Sequence, residues 1–518
     1  MTAAIDITTE QGKVLLGLLR RFIPGVVVWA YGSRAKWTAR PNSDLDLIVF
    51  TTPRHRHLVS ELKEALSDSN LPFLVDIQIW DEVPERFHEI IRKEYVVVQE
   101  TKEKPQCSDP SGRWRETTWG DEISLEYGKA LRGSDTVSGK FRVFGSNGPI
   151  GWTSQPLVSG SGVVLGRKGA YRGVQFSQFP FFVIDTAYYV VPKTELDMRW
   201  VYYAIIHYKL GEIDDGSPIP STTWAAIYVR DLRVPSLPEQ RAIAHILGTL
   251  DDKIELNRRM NETLEAIVRT LFQSWFVDFD PVRAKAEGRD TGLPREIAEL
   301  FPATFQESAI GHTPLGWKAH SLYDTARFIN GAAFKSEDFC TPGEGLPVVK
   351  IAELKDGISS QTKWSHRTAE QDQLIDTGDL LYSWSGSPDT PLNAFLWTKG
   401  PGLLNQHIFK VIAPSVGQKR FVYYLLKNLR PILVETAPNK QTTGLGHVTV
   451  ADMKRLLVCL PTKDILTAFD QKIAHIFDKA FTNTMESQTL ATLRDSLLPK
   501  LISGELRVKD PELMMEMS

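Results

Sequence analysis

Two stretches of the chain keep apolar residues on a strict four-three alternation. The first runs Ile243, Leu247, Leu250, Ile254, then Leu264, Val268, Leu271 and Trp275. The second runs Phe469, Ile473, Ile476, Ala480, then Leu490, Leu493, Leu497 and Leu501. In each, the two seam positions in the gap are polar: Asn257 and Asn261 in one, Asn483 and Ser487 in the other. A four-three apolar seam predicts long helices of roughly 35–40 residues, about 55 Å at 1.5 Å per residue. Both polar belts sit near the middle, so the helices match belt to belt most simply as an antiparallel coiled coil within one chain. A buried polar layer costs stability and fixes register. Leu237-Pro238 and Leu460-Pro461 place a proline where a helix can start, because its missing N–H is not needed there.

The rest of the chain repeats itself around these helices. Trp119 to Gly133 (WGDEISLEYGKALRG) and Trp317 to Gly331 (WKAHSLYDTARFING) both open on Trp and close on Gly. Each predicts one amphipathic helical stretch. A matching tail follows each opening: Asp231-Leu232, Leu237-Pro238 and Ala242 to Leu247 in one copy, Asp452-Met453, Leu460-Pro461 and Lys472 to Phe477 in the other. Strand signals lie between, at Phe181-Phe182-Val183-Ile184 and Ala187-Tyr188-Tyr189-Val190-Val191, with Gly/Ser-rich turns at 145–151 and 159–162. The expectation is two copies of one mixed α/β globule, each followed by a long helix. A repeat of this size is a duplicated domain rather than a solenoid unit.

The chain has 518 residues and 58.3 kDa, enough for about three or four domains. Its 60 Lys and Arg against 63 Asp and Glu leave a net charge of −3. That excludes a polycationic nucleic-acid coat but not local phosphate-reading charge. Cys107, Cys340 and Cys459 match no disulfide framework or metal spacing and read as thiols in a reducing cytoplasm. No signal pattern opens the chain, and no apolar run approaches the ~20 residues of a membrane helix. A soluble cytoplasmic protein is expected.

Residues 1–105 lie outside the repeat and read as a separate α/β unit. Val26 to Ala30 is an apolar strand running into Tyr31-Gly32-Ser33. Asn42 to Phe50 gives a second strand bearing Asp44 and Asp46 on one face, and Val75 to Trp80 a third bearing Asp76. Three carboxylates beside a Gly-Ser turn suit Mg²⁺ and a triphosphate: hard oxygens for metal, turn N–H groups for phosphate. This stretch resembles the minimal nucleotidyltransferases of the DNA polymerase β superfamily, in the order Gly-Ser turn, Asp-x-Asp strand, lone Asp. One departure is Trp37, where close relatives often have Gly. The resemblance implies a Mg²⁺- and nucleoside-triphosphate-dependent site. Asp44, Asp46 and Asp76 would bind metal, Asp76 would also activate the acceptor, and Gly32, Ser33, Arg34 and Lys36 would position the nucleotide. The alternative is a catalytically silent fold with exposed edge charges. The presence of all three acids favours a competent site.

In the first repeat copy, Gly166 to Gly173 (GRKGAYRG) is a glycine-bounded cluster with three cations, Arg167, Lys168 and Arg172. Lys140, Arg142, Ser146 and Asn147 precede it on a turn-rich stretch. Cations for phosphate and Arg/Asn for base edges are what major-groove reading needs. The second copy offers a different inventory: Lys335, Lys350, and Lys440, Gln441 and Thr442. Its His407, on an apolar strand, reads as a structural histidine. Two similar scaffolds with unlike loops suit two unlike half-sites.

From about residue 115 onward the chain resembles the specificity (S) subunits of type I restriction-modification systems. The residues that carry this are Gly166-Arg167-Lys168-Gly169, Leu237-Pro238-Glu239-Gln240, Trp275 to Pro281 (WFVDFDP) and Leu497 to Leu506 (LLPKLISGEL). The resemblance implies an α+β multidomain chain. Its domains would be nucleotidyltransferase-like residues 1–105, target recognition domains 106–236 and 312–461, helices 237–280 and 462–506, a connector 281–311 and a tail 507–518. It further implies double-stranded DNA as ligand, with two modification subunits using S-adenosylmethionine and two restriction subunits using ATP and Mg²⁺ as partners. Adenine methylation or cleavage would be theirs. The rival reading makes the N-terminal unit primary, an enzyme transferring a nucleotide to protein or RNA, toxin–antitoxin-like, with the remainder as its targeting device.

Overall fold

The computed structural model describes residues 5–24, 26–40, 43–50, 56–69, 71–83, 88, 91, 94–99, 114–131, 139–169, 172–213, 221–368, 371–386, 392–436 and 446–508. The chain forms two compact units, one of residues 1–249 with 494–518 and one of residues 250–493.

The first unit opens with helix α1 (Thr9–Phe22), started by a capping box in which Thr8 and Gln11 bond each other's backbone N–H. Strands β1 (Val27–Tyr31), β2 (Leu45–Phe50), β3 (Val75–Ile79) and β4 (Val96–Gln99) form a sheet in the order β3-β2-β1-β4. β1 and β2 are antiparallel, whereas β2 and β3 are parallel and joined through helix α2 (Arg56–Ser67). Val28, Ala30, Leu45, Leu47, Val49, Ile77 and Ile79 share a core with Leu15 and Leu19 of α1 and Val59 and Leu62 of α2. Strand alternation sends Asp46 and Asp76 to the opposite face, beside a second cluster of Trp29, Tyr31, Ile48, Phe50 and Trp80.

The first repeat globule follows in the same unit. Its strands are β5 (Arg115–Thr118), β6 (Ile123–Tyr127), β7 (Phe141–Gly145), β8 (Gly148–Thr153), β9 (Gly162–Gly166), β10 (Val174–Ser177), β11 (Phe181–Val183), β12 (Ala187–Pro192) and β13 (Asp231–Val234). They pair as β10-β9-β12-β6, β11-β7-β8 and β13-β5. The helical stretch expected over 119–133 is corrected here. Trp119–Glu122 makes one helical turn, and the chain then enters β6. Ile123 and Leu125 are buried while Ser124 and Glu126 are less so, a period of two rather than 3.6. The same correction holds in the second unit, where Lys318–Ser321 and Arg327–Asn330 are strands separated by a 3-10 turn. Each opening Trp is buried, and each opening segment pairs antiparallel with its own tail: β5 with β13, and Lys318–Ser321 with Leu457–Leu460.

The two long helices span Leu237–Phe276 and Lys463–Ser503, 40 and 41 residues. Within the first unit, Ile243 and Leu247 share a core with Leu498, Leu501 and Ile502. Glu239 ties this end together. Arg507 meets its carboxylate with Nε at 2.6 Å and Nη2 at 2.9 Å, and Trp114 Nε1 donates to it at 3.0 Å. Gln240 is the neighbouring brace, accepting from Asp197 N and donating to Pro235 O. Gly504 is needed here, since φ is +77° and a Cβ would sit 3.3 Å from the Trp114 ring. Within the second unit, Val268, Phe272, Trp275 and Phe276 share a core with Phe469 and Ile473, alongside Phe301, Trp317 and Phe421. Phe279, in the left-handed region at φ 55°, is the N-cap of the next short helix, Asp280–Ala286, whose first turn holds Pro281.

The polar belt of the second unit is bonded across the pair. Asn257 Nδ2 donates to Glu486 Oε2 at 2.9 Å and Ser487 Oγ at 3.3 Å, Asn483 Nδ2 to Asn261 Oδ1 at 3.0 Å, and Asn261 Nδ2 to Thr484 Oγ1 at 3.1 Å. In the second unit, residue numbers rising along one helix meet numbers falling along the other, so the pairing there is antiparallel, as the seam predicts. One seam residue departs: Leu493 is 45% exposed. Asn257 and Asn483 are fully buried, and each keeps an Oδ1 with no hydrogen-bond partner. Asn483→Ala removes the donor to Asn261 Oδ1 and is expected to cost about 1–3 kcal/mol, whereas Asn483→Leu with Asn261→Leu removes both partners of that bond and restores much of the loss. Thermal melting of the full chain reads the order, with the double variant above the single one.

Candidate functional site

At the open end of the N-terminal sheet, β1 runs into Gly32 at φ +76°, the first residue of a helical turn, Gly32–Ala35. Tyr31 and Asp46 are register partners on β1 and β2, and Asp46 and Asp76 are partners on β2 and β3. A Cβ on Gly32 would fall 2.2 Å from Asp46 Oδ2, so only glycine lets the turn close over that carboxylate. Gln78 Nε2 donates to Asp76 Oδ2 at 3.0 Å. Asp44 lies one residue before β2 and is exposed. Burial, then the charges of Asp76 and Asp44, raise the Asp46 pKa above its ordinary 3.8. Burial, then Asp46 and Asp76, push the Tyr31 hydroxyl up to about 12. The site therefore stores negative charge in close quarters.

Among the described residues no group of three or more His, Cys, Asp or Glu side chains gathers closely enough to hold a metal ion by itself. The donors are still hard carboxylate oxygens, the chemistry Mg²⁺ takes through one or two carboxylates plus substrate phosphates. Two of the expected nucleotide contacts are otherwise engaged. Arg34 is buried, donating to Ser43 O and Asp6 O at 2.9 Å each, with its guanidinium 3.9 Å from the Phe73 ring centre. It holds the turn rather than presenting itself to phosphate. Lys36 is ion-paired with Glu94. Ser33 O accepts from Thr38 N at 3.0 Å, closing the loop in which Trp37 sits at φ 58°. A glycine would adopt this left-handed conformation without steric cost.

In the first repeat globule, Ser146 and Asn147 form the two-residue turn between β7 and β8, with Asn147 exposed at its tip. Ser146 Oγ donates to Thr186 O at 2.6 Å, and Gly173 N donates to Ser146 O at 2.8 Å. A Cβ on Gly166 would lie 2.4 Å from Ser146 O, so the first glycine of GRKG admits that carbonyl. Arg142 lies on strand β7, not in a turn as expected, with its guanidinium 4.7 Å from the Trp152 ring centre. Arg167 donates to Asp185 O and lies 5.0 Å from the Tyr127 ring centre, and Lys168 is exposed. Lys140 is exposed just before β7. Arg172 bonds within the globule: its guanidinium donates to Gly211 O, Gly169 O and Ile213 O at 3.0–3.2 Å.

The second unit places Lys335 exposed, 3.8 Å from Glu337, and Lys350 5.5 Å from the Phe339 ring centre. Arg367, which sequence reasoning missed, joins them: it lies over Phe334 at 5.4 Å and 3.8 Å from Asp338. No local signal marks it, because it arrives through the pairing of Phe339–Cys340 with Trp364–Ser365. His407 lies 5.5 Å from the Trp384 ring. Lys440, Gln441 and Thr442 lie outside the described residues.

Residues 125–266 and 314–494 match the type I restriction modification DNA specificity domain. The chain belongs to that family. Specificity subunits of type I restriction enzymes are its relatives along most of their length. The HindI subunit of Haemophilus influenzae is 27% identical over 63% of this chain and 81% of its own. The MjaIX subunit of Methanocaldococcus jannaschii is 25% identical over 62% and 72%. A solved S subunit from M. genitalium shares the fold, with a TM-score of 0.50 at 16% identity, over 76% of this chain and 97% of that one. Residues 24–104 match the polymerase β nucleotidyltransferase family. This N-terminal region is 44% identical to a probable protein adenylyltransferase, MntA of Haemophilus influenzae, over 20% of this chain and 94% of that protein. The specificity chain thus carries a nucleotidyltransferase domain ahead of its family region.

Since the Asp46 pKa is raised in the folded state, the stability linked to its proton is full below pH 3.8 and is lost as pH rises through the raised value. Asp46→Asn is therefore expected to melt above wild type at pH 7 and level with it near about pH 3.5. Paired thermal melts at the two pH values check the sign.

Proposed function

We propose that this chain is the DNA-reading specificity subunit of a type I restriction-modification complex and recognises a bipartite, asymmetric site. Residues ~115–236 read one half-site and ~312–460 the other. Two modification subunits using S-adenosylmethionine, and two restriction subunits using ATP, perform adenine methylation and cleavage in the cytoplasm. The observation that carries this reading is the two-part family match, each part holding a basic cluster braced by aromatic rings and tight backbone turns. Asn147, Arg167 and Lys168 in the first reader, with Lys140 and Arg142 beside them, have the chemistry for base edges and phosphates. Lys335, Lys350 and Arg367, with Lys440, Gln441 and Thr442, are the corresponding set in the second. The net charge of −3 fits a subunit that shares phosphate neutralisation with its partners.

A second activity is favoured by the acids at Gly32: nucleotide transfer by the N-terminal domain to a protein acceptor. Asp46 and Asp76, with Asp44, would hold Mg²⁺, which supplies charge neutralisation for a triphosphate when bound. Gly32 and Ser33 would seat phosphates, and Asp76 would take the acceptor's proton. This domain and the reader are separable functions of one chain.

Methylome sequencing of cells carrying the assembled complex is expected to give two short half-sites split by a fixed spacer, and a contiguous motif would refute the two-reader picture. Arg167→Ala is expected to cost about 1–3 kcal/mol of discrimination at one half-site only. Labelled ATP should mark a protein acceptor with wild type and not with Asp46→Asn/Asp76→Asn, while methylation persists in both. Absence of labelling in wild type across acceptors and divalent cations would remove the second activity.

A further inference from the structure

The nucleotidyltransferase domain and the first target-recognition domain, both in the first unit, share one side chain. Trp224 packs against the N-terminal core and against the core of the first reader. Its ring meets Phe22, the last residue of α1, edge to face with centroids 5.9 Å apart, and meets Tyr228 at 5.6 Å. Charge follows the same seam. Glu61 of α2 acts on both Lys193 and Tyr228 of the reader. Lys193 in turn donates to Gly120 O at 2.7 Å, and Tyr228 Oη accepts from Leu125 N at 2.7 Å.

Trp224 also starts a five-residue helix, Trp224–Tyr228, capped by Thr223, directly after the segment that holds the basic cluster. Thr222 is fully buried and donates from its backbone N to Arg167 O at 2.9 Å. Ser221 makes an isolated antiparallel bridge with Lys168. Only one residue, Thr223, separates the pairing of Thr222 with Arg167 from the ring set in the N-terminal core. The docking end is also remote from the acids. Phe22 and Ile23 lie where the chain enters β1, whereas Gly32 follows its other end.

We propose that the nucleotidyltransferase domain is a structural brace of the first DNA reader, docked through Phe22 and Trp224, and that it sets the placement of Arg167 and Lys168. The domain is then not a passenger on a tether. Losing the dock loosens Ser221 and Thr222, and with them the cations they pair with, while leaving the acid site and the second reader intact. This inference rests on the reading of Arg167 and Lys168 as DNA contacts.

Phe22→Ala tests it from the far side, because Phe22 belongs to neither the acid site nor the reading loop. Trp224→Phe serves as a second variant that keeps a ring in both cores. The full chain, assembled with its modification subunits, is put through selection from a randomised duplex library, and hydrogen exchange is followed over residues 221–228. Phe22→Ala is expected to relax the first half-site by about tenfold and to speed exchange at 221–228, with the second half-site unchanged and Trp224→Phe near wild type. Unchanged discrimination at the first half-site, or equal loss at both, would overturn the brace. Arg167→Ala in the same selection separates the two ideas. If it alters neither half-site, the assignment of the reader fails, whereas an effect of Arg167→Ala without one of Phe22→Ala rejects the dock alone.

Discussion

A belt of buried amides decides how the two long helices of this protein can align. Apolar side chains along a four-three seam are interchangeable to first order, because a leucine accepts any other leucine one heptad away. Asn257, Asn261 and Asn483 are not interchangeable in this way. Each has donors that find partners in one alignment only, and a shift of register would bury them against hydrocarbon. The seam supplies the attraction and the belt selects the alignment. Each repeat globule continues directly into one of these helices, so the belt also fixes how those two helices align.

The N-terminal domain answers to a different constraint, concentration of charge. Asp46 is pressed against a glycine turn and faces Asp76 along a parallel register, with Tyr31 between sheet and turn. A fold would not gain stability by this. Burial and neighbouring carboxylates raise the pKa values of both Asp46 and Tyr31, so negative charge is costly at this spot. Arg34 is spent on the shape of the turn, bonding the carbonyls of Ser43 and Asp6.

Much of this was legible in the residues. The four-three spacing identified both helices, and the positions of the asparagines identified the belt, because both patterns are local and periodic. The order of Gly32, Asp44, Asp46 and Asp76 pointed to the N-terminal nucleotidyltransferase domain for the same reason. The helical reading of 119–133 failed because Ile123 and Leu125 fit either period over so short a span, and only pairing with β12 selects the strand. Leu493 kept the spacing and lost the burial. Arg172 and Arg367 were invisible in opposite ways. One looked like a free cation and is bonded to three carbonyls, while the other lies 32 and 17 residues beyond Lys335 and Lys350, outside any window that holds all three. Trp224 carried no signal, since its meaning comes from two cores that no sequence window spans.

The clamp of Glu239 by Arg507 and Trp114 has a consequence for how the molecule is made. The first unit draws on residues from both ends of the chain, 1–249 and 494–518, whereas the second is one uninterrupted run, 250–493. A chain emerging from a ribosome can therefore complete the second unit while the first still lacks Leu498, Leu501, Ile502 and the arginine that neutralises its buried glutamate. The unit begun earliest is finished last, and until then its apolar helix face is open to whatever else is nearby.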